Sequence, residues 1–550
     1  GGGVSGGGGG GGGAGGGDSD ATYPSNTVTV YLDGDVWTAK FGVLDTENGV
    51  AWANYTDAVK HASGFGQLTV TSSAKFNDTA QMFAAGYAEG AVSTTRIYEH
   101  LSNMHAWALN AVGEASMPQK YVDWFAANDK WVRANVASNS SALWTHVGLL
   151  MSQFDGVVAG YAAHAAAGQQ LDAYRFMETN SVGDLLDLIP ALSPEREPDW
   201  DAMGDDEMAA AIANRGHCSG LIKVTGNFSD LMAAHSSWFT YSSMLRVMKH
   251  YHTPLHSAAA HGRKTTFSSY PGMLSSLDDF YLNTESNLVM VQTTNGIMNK
   301  SLYELVTPQS LLAWVRVRVA NDMSATGADW CAVIDSYNSG TYNNQYMVVD
   351  YKLFTPGQGL QPGTLVVCEQ IPGLVVAGDV TQQLERGYWA SYNVPYWREV
   401  YDRSGYPEFI ARHRPRAPHA VSGLSYDMAP RAQIFRRDVG NVVDIPSLET
   451  FMRSNGYPTD PYFLDKPSPF DAICSRGDLV GYYGGCYDTK VTNYALVASE
   501  TSRVINGPTR AGGNFKPFDW ANATNAVAHM GEPQVFDFEF ETMVPDWARA

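Results

Sequence analysis

The sequence predicts an α+β fold whose strands and helices fall in separate blocks. Three observations lead there. After a glycine run the chain opens on segments of period two, a stretch of about a hundred residues then keeps helical period, and short β-rich segments divided by Gly and Pro follow Cys218. At 550 residues the chain is roughly three to four times a usual domain of about 150. With 44% hydrophobic and 17% charged residues it can bury a sizeable core.

Residues 1–22 read as a flexible leader, because fourteen of the first seventeen are glycine. Residues 27–32 and 36–43 alternate around Asp33-Gly34-Asp35, the pattern of a β-hairpin, and 66–72 read as a further strand. From Asp78 to Asp187 the period changes. Met82, Ala85 and Ala88, then Ile97, Leu101, Met104 and Ala108, recur at helical spacing, with more helix at 119–135, 141–166 and 172–188. Residues 193–217, with Pro194, Pro198 and seven acids between Glu195 and Glu207, read as a solvated acidic linker. Strands at 219–225 and 231–234 and a helix at 236–251 open the second part, and β-rich segments follow to the end. Charge divides the chain at the same place: residues 1–217 hold 10 bases and 25 acids, residues 218–550 hold 26 and 31.

A net charge of −20 and a pI near 5.0 exclude nucleic acid as a partner, since counterion release needs a basic surface. No run of about 18 apolar residues occurs, so no transmembrane segment is expected; the most apolar stretch, 157–167, is Ala-rich and broken by His164. The lack of a charged-then-apolar leader decides nothing about a removed signal peptide. Asn-x-Ser/Thr acceptors stand at Asn54, Asn77, Asn139, Asn227, Asn299 and Asn522, and would carry surface glycans in a secretory compartment. The five cysteines, Cys218, Cys331, Cys368, Cys474 and Cys486, leave at least one thiol free if disulfides form.

Most familiar catalytic signatures are absent. There is no HExxH, no GxxxxGK[ST] and no paired CxxC, and the GxSxG match at residues 3–7 lies in the glycine run, where no nucleophile elbow forms. His252, His256 and His261 share a short stretch, but Pro254 breaks their alignment and no carboxylate accompanies them, so no metal is expected. Cys218 stands between an accessible acidic segment and a strand. There its thiol can attack the carbonyl of His217, moving the acyl group from N to S, and water resolves the thioester. The freed α-amine, with an ordinary pKa of about 7.7–8.0, then serves as general base for the same thiol. Taken alone, a cysteine at a strand start is more often inert core.

Longer blocks favour the catalytic reading. His217-Cys218-Ser219-Gly220-Leu221-Ile222-Lys223-Val224, Ala234-His235-Ser236-Ser237-Trp238, Phe267-Ser268-Ser269-Tyr270-Pro271-Gly272, Asp278-Asp279-Phe280-Tyr281, Tyr337-Asn338-Ser339-Gly340-Thr341-Tyr342-Asn343-Asn344, Tyr388-Trp389-Ala390-Ser391-Tyr392-Asn393 and Pro430-Arg431-Ala432-Gln433 occur in that order. Together they closely resemble the phospholipase B-like, or lamina-ancestor, family over about residues 26–535. The resemblance implies a four-layer αββα sandwich of the N-terminal-nucleophile hydrolase type. It also implies a precursor cut between His217 and Cys218, whose fragments 23–217 and 218–550 stay together as one globular unit, with the acidic segment as a cover that is trimmed away. No cofactor is implied. A lysosomal or secreted glycoprotein is implied, and a homodimer is left open.

Carried over residue by residue, the resemblance makes Cys218 the nucleophile, with His235 and Trp238 beside it on the returning strand. Asn393 becomes the amide donor of an oxyanion hole, with Asn343 and Asn344 as rivals that otherwise form the turn suggested by Gly340. Arg431 becomes the group that holds a carboxylate or phosphate, or else forms a structural ion pair. A disulfide between Cys474 and Cys486 is implied; Cys331 and Cys368 are left without assigned partners. The expected activity is hydrolysis of acyl esters of glycerophospholipids through a Cys218 thioester. The alternatives are an amidase on N-acyl or peptide-like amides and a non-catalytic lipid-binding glycoprotein of the same fold.

Overall fold

The computed structural model describes residues 25–213, 217–462, 466–513, 515–524 and 527–548; the expected leader and residues 214–216 of the acidic segment lie outside them. Eleven strands form one sheet, in the spatial order Leu374–Asp379, Leu365–Ile371, Asn344–Asp350, Leu288–Thr294, Phe280–Asn283, Lys264–Ser269, Arg246–His252, Phe65–Ser72, Ala51–Thr56, Ser25–Asp33 and Val36–Phe41. All neighbours are antiparallel except Phe65–Ser72 and Arg246–His252, which run parallel from Phe65 opposite Arg246 to Thr71 opposite His252. That pair joins strands from before residue 217 to strands from after it, so one hydrogen-bonded sheet spans the expected cleavage point. A second sheet of six strands runs Tyr388–Ser391, His217–Val224, Leu231–Thr240, Gly484–Asn493, Ser502–Asn506 and Glu541–Met543.

The apolar clusters show which faces meet. Ile222, Val224 and Ala233 of the smaller sheet share a core with Met248, Val289, Val291 and Met347 of the larger one. On its other face the larger sheet packs Val70, Tyr251 and Met290 against Ala84 and Ala88 of helix Asp78–Val92 and Trp330 of helix Gly327–Asp335. The other face of the smaller sheet packs Leu221, Met232 and Val491 against Phe409, Val421, Phe435 and Leu448, from helices Tyr406–His413, Pro418–Ser422, Pro430–Asp438 and Ile445–Met452. The fold is therefore α+β, as the sequence predicts.

The helical block begins as expected. Asn77 and Ser141 accept backbone N–H groups at the starts of helices Asp78–Val92 and Ala142–His164, satisfying donors left open by the first turn. These two helices pack closely because glycines line their contact: a Cβ at Gly156 would stand 2.1 Å from Phe83 O, and one at Gly86 2.0 Å from Gln153 O. The block continues through Thr94–Val112, Gln119–Ser138, Ala173–Asn180 and Val182–Leu192.

Three expectations need correction. The helix expected over 236–251 is instead the end of strand Leu231–Thr240, a 3₁₀ turn at Tyr241–Ser243 and strand Arg246–His252. Both faces of Leu231–Thr240 are covered, with Ser237 bonded to Asp278 on one side and Ser236 to Met452 O on the other. No polar and apolar alternation therefore marks its period of two. Second, the region after residue 300 is not purely β-rich, for it contributes helices to the outer faces of both sheets. Third, the acidic segment is not simply solvated. It carries helix Asp205–Ala213, which buries Met208 and Ile212 in the helical layer of the smaller sheet; Asp201 pairs with Arg412, and Asp205 lies 2.7 Å from Lys466. Among the described residues no helix is long and apolar enough to cross a membrane.

Candidate active site

Cys218 is the second residue of strand His217–Val224, and the hairpin with Leu231–Thr240 sets its surroundings. In that antiparallel register Cys218 faces Ser237, Gly220 faces His235 and His217 faces Trp238. The next strand brings Lys490 opposite His235 and Cys486 opposite Trp238. Side chains directly opposite one another share a face, so Cys218, Ser237, His235 and Lys490 form one group on the side toward the larger sheet.

The Cys218 backbone is held at both ends. Its N–H donates to Asn393 Oδ1 (3.1 Å), and its carbonyl accepts from Arg431 Nη1 (2.5 Å). Arg431 also donates to Ser219 Oγ (3.2 Å), Tyr392 O (2.9 Å) and Asn393 Oδ1 (2.7 Å), and its guanidinium lies 4.5 Å from the centre of the Trp238 ring. Both terminal nitrogens are thus committed inside the protein. These bonds tie the Cys218 carbonyl, Ser219, Tyr392 and Asn393 to one guanidinium, which also lines a cavity with Trp238 and Ile212. Burial lowers its pKa to about 10, which still leaves it cationic at neutral and acidic pH.

Asn393 stands where expected but is turned for another task. Its Nδ2 donates to Thr294 O (2.6 Å), while its Oδ1 accepts from Cys218 N and from Arg431. The donor that an oxyanion hole needs is therefore spent, and the geometry makes Asn393 the acceptor that holds the Cys218 nitrogen. Its φ of +70° is a left-handed conformation that Asn tolerates better than most residues. Asn343 forms the turn: its Nδ2 donates to Gly340 O (2.9 Å), and its neighbour Tyr342 lines the cavity beside Cys218. Asn344 donates to Tyr346 Oη (3.0 Å).

Trp238 is buried, donates from Nε1 to Ile473 O (3.2 Å) and packs on the Cys474–Cys486 disulfide. His235 is fully buried, with Nδ1 3.1 Å from Lys490 Nζ. Burial, reinforced by Lys490, holds its pKa well below the usual value, so the ring is neutral. Cys331 and Cys368, unassigned by sequence, also pair. That leaves Cys218 as the free cysteine among the described residues.

Cys218 is 4% exposed, and burial pushes the pKa of its thiol up to about 12 against the lowering effect of the Trp238 amide. It opens on a cavity of about 20 Å³ lined also by Leu186, Ser237, Asp278 and Tyr342, too small for more than about one water. A second cavity, of about 70 Å³, lies between Trp238 and Arg431 on one side and Ala209 and Ile212 of the acidic segment on the other. A wider cleft of about 840 Å³ between residues 197–201 and 402–413 contains none of the groups around Cys218. Sequence reasoning missed Asp278, Lys490, Arg246 and Asp488, which form a buried charge cluster beside Ser237. Asp278 falls within the Asp278-Asp279-Phe280-Tyr281 block, whereas a lysine in a strand reads as solvent-facing.

The other calls can be placed. His256 meets the Asp78 carboxylate (2.9 Å), while His252 pairs in register with Lys264 in the larger sheet. Asn77, Asn139, Asn227 and Asn522 are exposed, and Asn54 and Asn299 half-buried.

The model of the Phospholipase B family matches residues 51–543. The chain belongs to that family. Among its relatives are Phospholipase B-like 1 of Rattus norvegicus, 40% identical over 94% of this chain and 92% of that protein, and Phospholipase B-like 1 of Homo sapiens, 40% identical over 92% and 88%. Phospholipase B of Crotalus adamanteus is 39% identical over 92% of this chain and 90% of that protein. Within this family member the matched span contains all of the site, from Leu186 to Lys490.

Proposed function

We propose that the chain is the precursor of a phospholipase B-like hydrolase that cleaves itself between His217 and Cys218 and then attacks acyl esters of glycerophospholipids through a Cys218 thioester. The observation that carries this reading is the hold on Cys218: an unpaired thiol facing a cavity, with its nitrogen on Asn393 and its carbonyl on Arg431. After cleavage the same nitrogen is an α-amine, and Asn393 Oδ1 keeps it beside the thiol it must deprotonate. The family's names supply the substrate class. Thiolate attack serves amides equally, so N-acyl amides are the alternative substrates.

The packing of each sheet against the other on one face and against helices on the opposite face supports the four-layer αββα arrangement. The acidic segment acts as a cover, because Ala209 and Ile212 close the space over Trp238 and Arg431. Fragments 23–217 and 218–550 remain together through the parallel strand pair and the buried Glu89–Lys249 ion pair (2.6 Å). Two disulfides and four exposed sequons support an oxidising lumen, lysosomal or secreted.

Incubation at acidic pH followed by intact-mass measurement and N-terminal sequencing tests this. A chain beginning at Cys218 in the wild type, absent in Cys218→Ala, is the expected result. The cut protein then releases fatty acid from phospholipid in preference to N-acyl amides. A wild-type chain that stays whole and inert would favour the lipid-binding alternative.

A further inference from the structure

In the uncut chain the Cys218 nitrogen is a peptide nitrogen, so the α-amine that serves the mature enzyme is not yet available to the thiol. The thiol is also buried and faces little water. Some other polar group must receive its S–H. The nearest by register is Ser237, directly across the strand pair from Cys218 and lining the same cavity.

Ser237 is not a free hydroxyl. Its Oγ contacts Asp278 Oδ2 (3.0 Å), Lys490 Nζ and, at 3.4 Å, His235 Nδ1. Lys490 has only donors, three N–H groups shared among Ser237 Oγ, Asp278, Asp488 and the more distant His235 Nδ1 (3.1 Å), so each of those atoms faces it as an acceptor. The carboxylate of Asp278 accepts the Ser237 hydroxyl proton. One lone pair of Ser237 Oγ then remains uncommitted.

The groups that impose this orientation are themselves immobile. Lys490 bonds Asp278 and lies 2.7 Å from Asp488, while Arg246 meets Asp278 at 3.0 Å and Asp488 at 2.9 Å. All four side chains are 0–1% exposed, and two cations balance two carboxylates. Such a cluster holds together only as a set, because losing one member leaves a buried charge uncompensated.

We propose that Ser237, oriented by Lys490 and Asp278, is the positioning residue for self-cleavage: its free lone pair receives the Cys218 S–H and aims the sulfur at the His217 carbonyl carbon. The inference rests on the self-cleavage reading above. In the step itself a C–S bond forms and the His217–Cys218 C–N bond breaks. The thiol proton ends on the departing Cys218 nitrogen, and water then converts the thioester to the His217 carboxylate and restores the thiol. Ser237 gains and loses no atoms.

The test follows appearance of the chain beginning at Cys218 by intact mass across pH 4.5–7.5, using full-length wild type, Cys218→Ala, Ser237→Ala, Ser237→Thr and Lys490→Met. Ser237→Ala removes one oxygen and leaves the charge cluster intact, so it melts close to the wild type. It should slow cleavage on the order of 10- to 100-fold, the scale of a misplaced nucleophile, and move the rate profile to lower pH, because losing the acceptor of the S–H destabilises the neutral thiol. Ser237→Thr should restore the rate, whereas a merely structural role would not move the pH profile. Lys490→Met should slow cleavage at least as much, and the folded Ser237→Ala decides the matter if Lys490→Met fails to fold. Wild-type rate and pH profile in folded Ser237→Ala would overturn the proposal while leaving self-cleavage standing. A wild type that never cuts would overturn both.

Discussion

Replacing Asp184 and Asp187 by Asn tests how the chain before residue 217 is fastened over the site. Both lie on helix Val182–Leu192, on either side of Leu186, which lines the Cys218 cavity. Asp184 accepts from Thr341 Oγ1 and Ala313 N (3.0 Å), and Asp187 from Tyr303 Oη (2.9 Å) and Asn343 N (3.3 Å), all on the far side of the expected cut. Burial pushes each carboxyl up to about 6 from an ordinary 3.8. The folded chain therefore keeps protons that the unfolded chain has lost between about pH 4 and 6. Stability from these groups is fully present below pH 4 and is lost as pH rises through 6. A shift of about two units at ~1.4 kcal/mol per unit gives ~3 kcal/mol for each carboxyl. Thermal unfolding at pH 4.5, 5.5, 6.5 and 7.5 reads this directly. Relative to the Asp184→Asn, Asp187→Asn double variant, the wild type should lose stability across the series, because an amide does not titrate; buried His100 and His235, both held neutral, add an opposite slope that the two proteins share. Glu369, raised by burial to about 7, preserves part of the slope in the double variant. A double variant with the full wild-type slope would refute the reasoning.

Further outcomes follow from the same geometry. Arg431→Met removes four hydrogen bonds without stranding a counter-ion, so it should cost ~1–3 kcal/mol of stability. It should slow appearance of the Cys218 chain about 100-fold, measured by intact mass, because the Cys218 carbonyl and Asn393 lose their common anchor. Replacing both Cys474 and Cys486 by Ser opens a crosslink of sequence separation 12 that packs on Trp238, and should lower unfolding free energy by ~2–4 kcal/mol in denaturant titration. Gly156→Ala drives a methyl into the Phe83 carbonyl and should destabilise the chain by ~1–3 kcal/mol in the same titration, with self-cleavage of the folded fraction unchanged.

Much of this was legible in sequence where one face of an element meets solvent or a short turn. The hairpin Ser25–Asp33 with Val36–Phe41 and the helices from Asp78 to Leu192 carry their periods openly. Strands covered on both sides do not, and Leu231–Thr240 was consequently misread as part strand and part helix. The ordered blocks located Cys218, His235, Trp238, Asn393 and Arg431 together. They did not reveal which atom of Asn393 faces Cys218 or that Arg431 is internally saturated, because hydrogen-bond direction is a property of the packed site. Lys490 was invisible for a different reason: its counter-charges, Asp278 and Asp488, come from a distant loop and its own strand, and nothing local announces that a lysine is buried.

The uncut site explains why cleavage would have to precede turnover. A thiol held up at about 12 is protonated at any physiological pH, and a cavity of about 20 Å³ admits no acyl chain. The His217 carbonyl is covalently attached to the residue that the proposal makes the nucleophile. On the proposed reading self-cleavage therefore comes before any turnover of substrate, and it calls on a fixed thiol more than on a strong base. Under the same proposal, breaking that bond would leave on Asn393 Oδ1 an α-amine to serve as the base. Removal of Ala209 and Ile212 would then join the space over Trp238 and Arg431 to solvent. The two requirements of the proposed esterase, a base and room for substrate, are thus unmet for separate reasons in the uncut chain. A variant that cuts but retains residues 197–213 should therefore carry a free Cys218 amine and still hydrolyse long-chain phospholipid slowly, while a short-chain soluble ester is turned over. Equal rates on both esters in that variant would show that the acidic segment covers nothing the substrate needs.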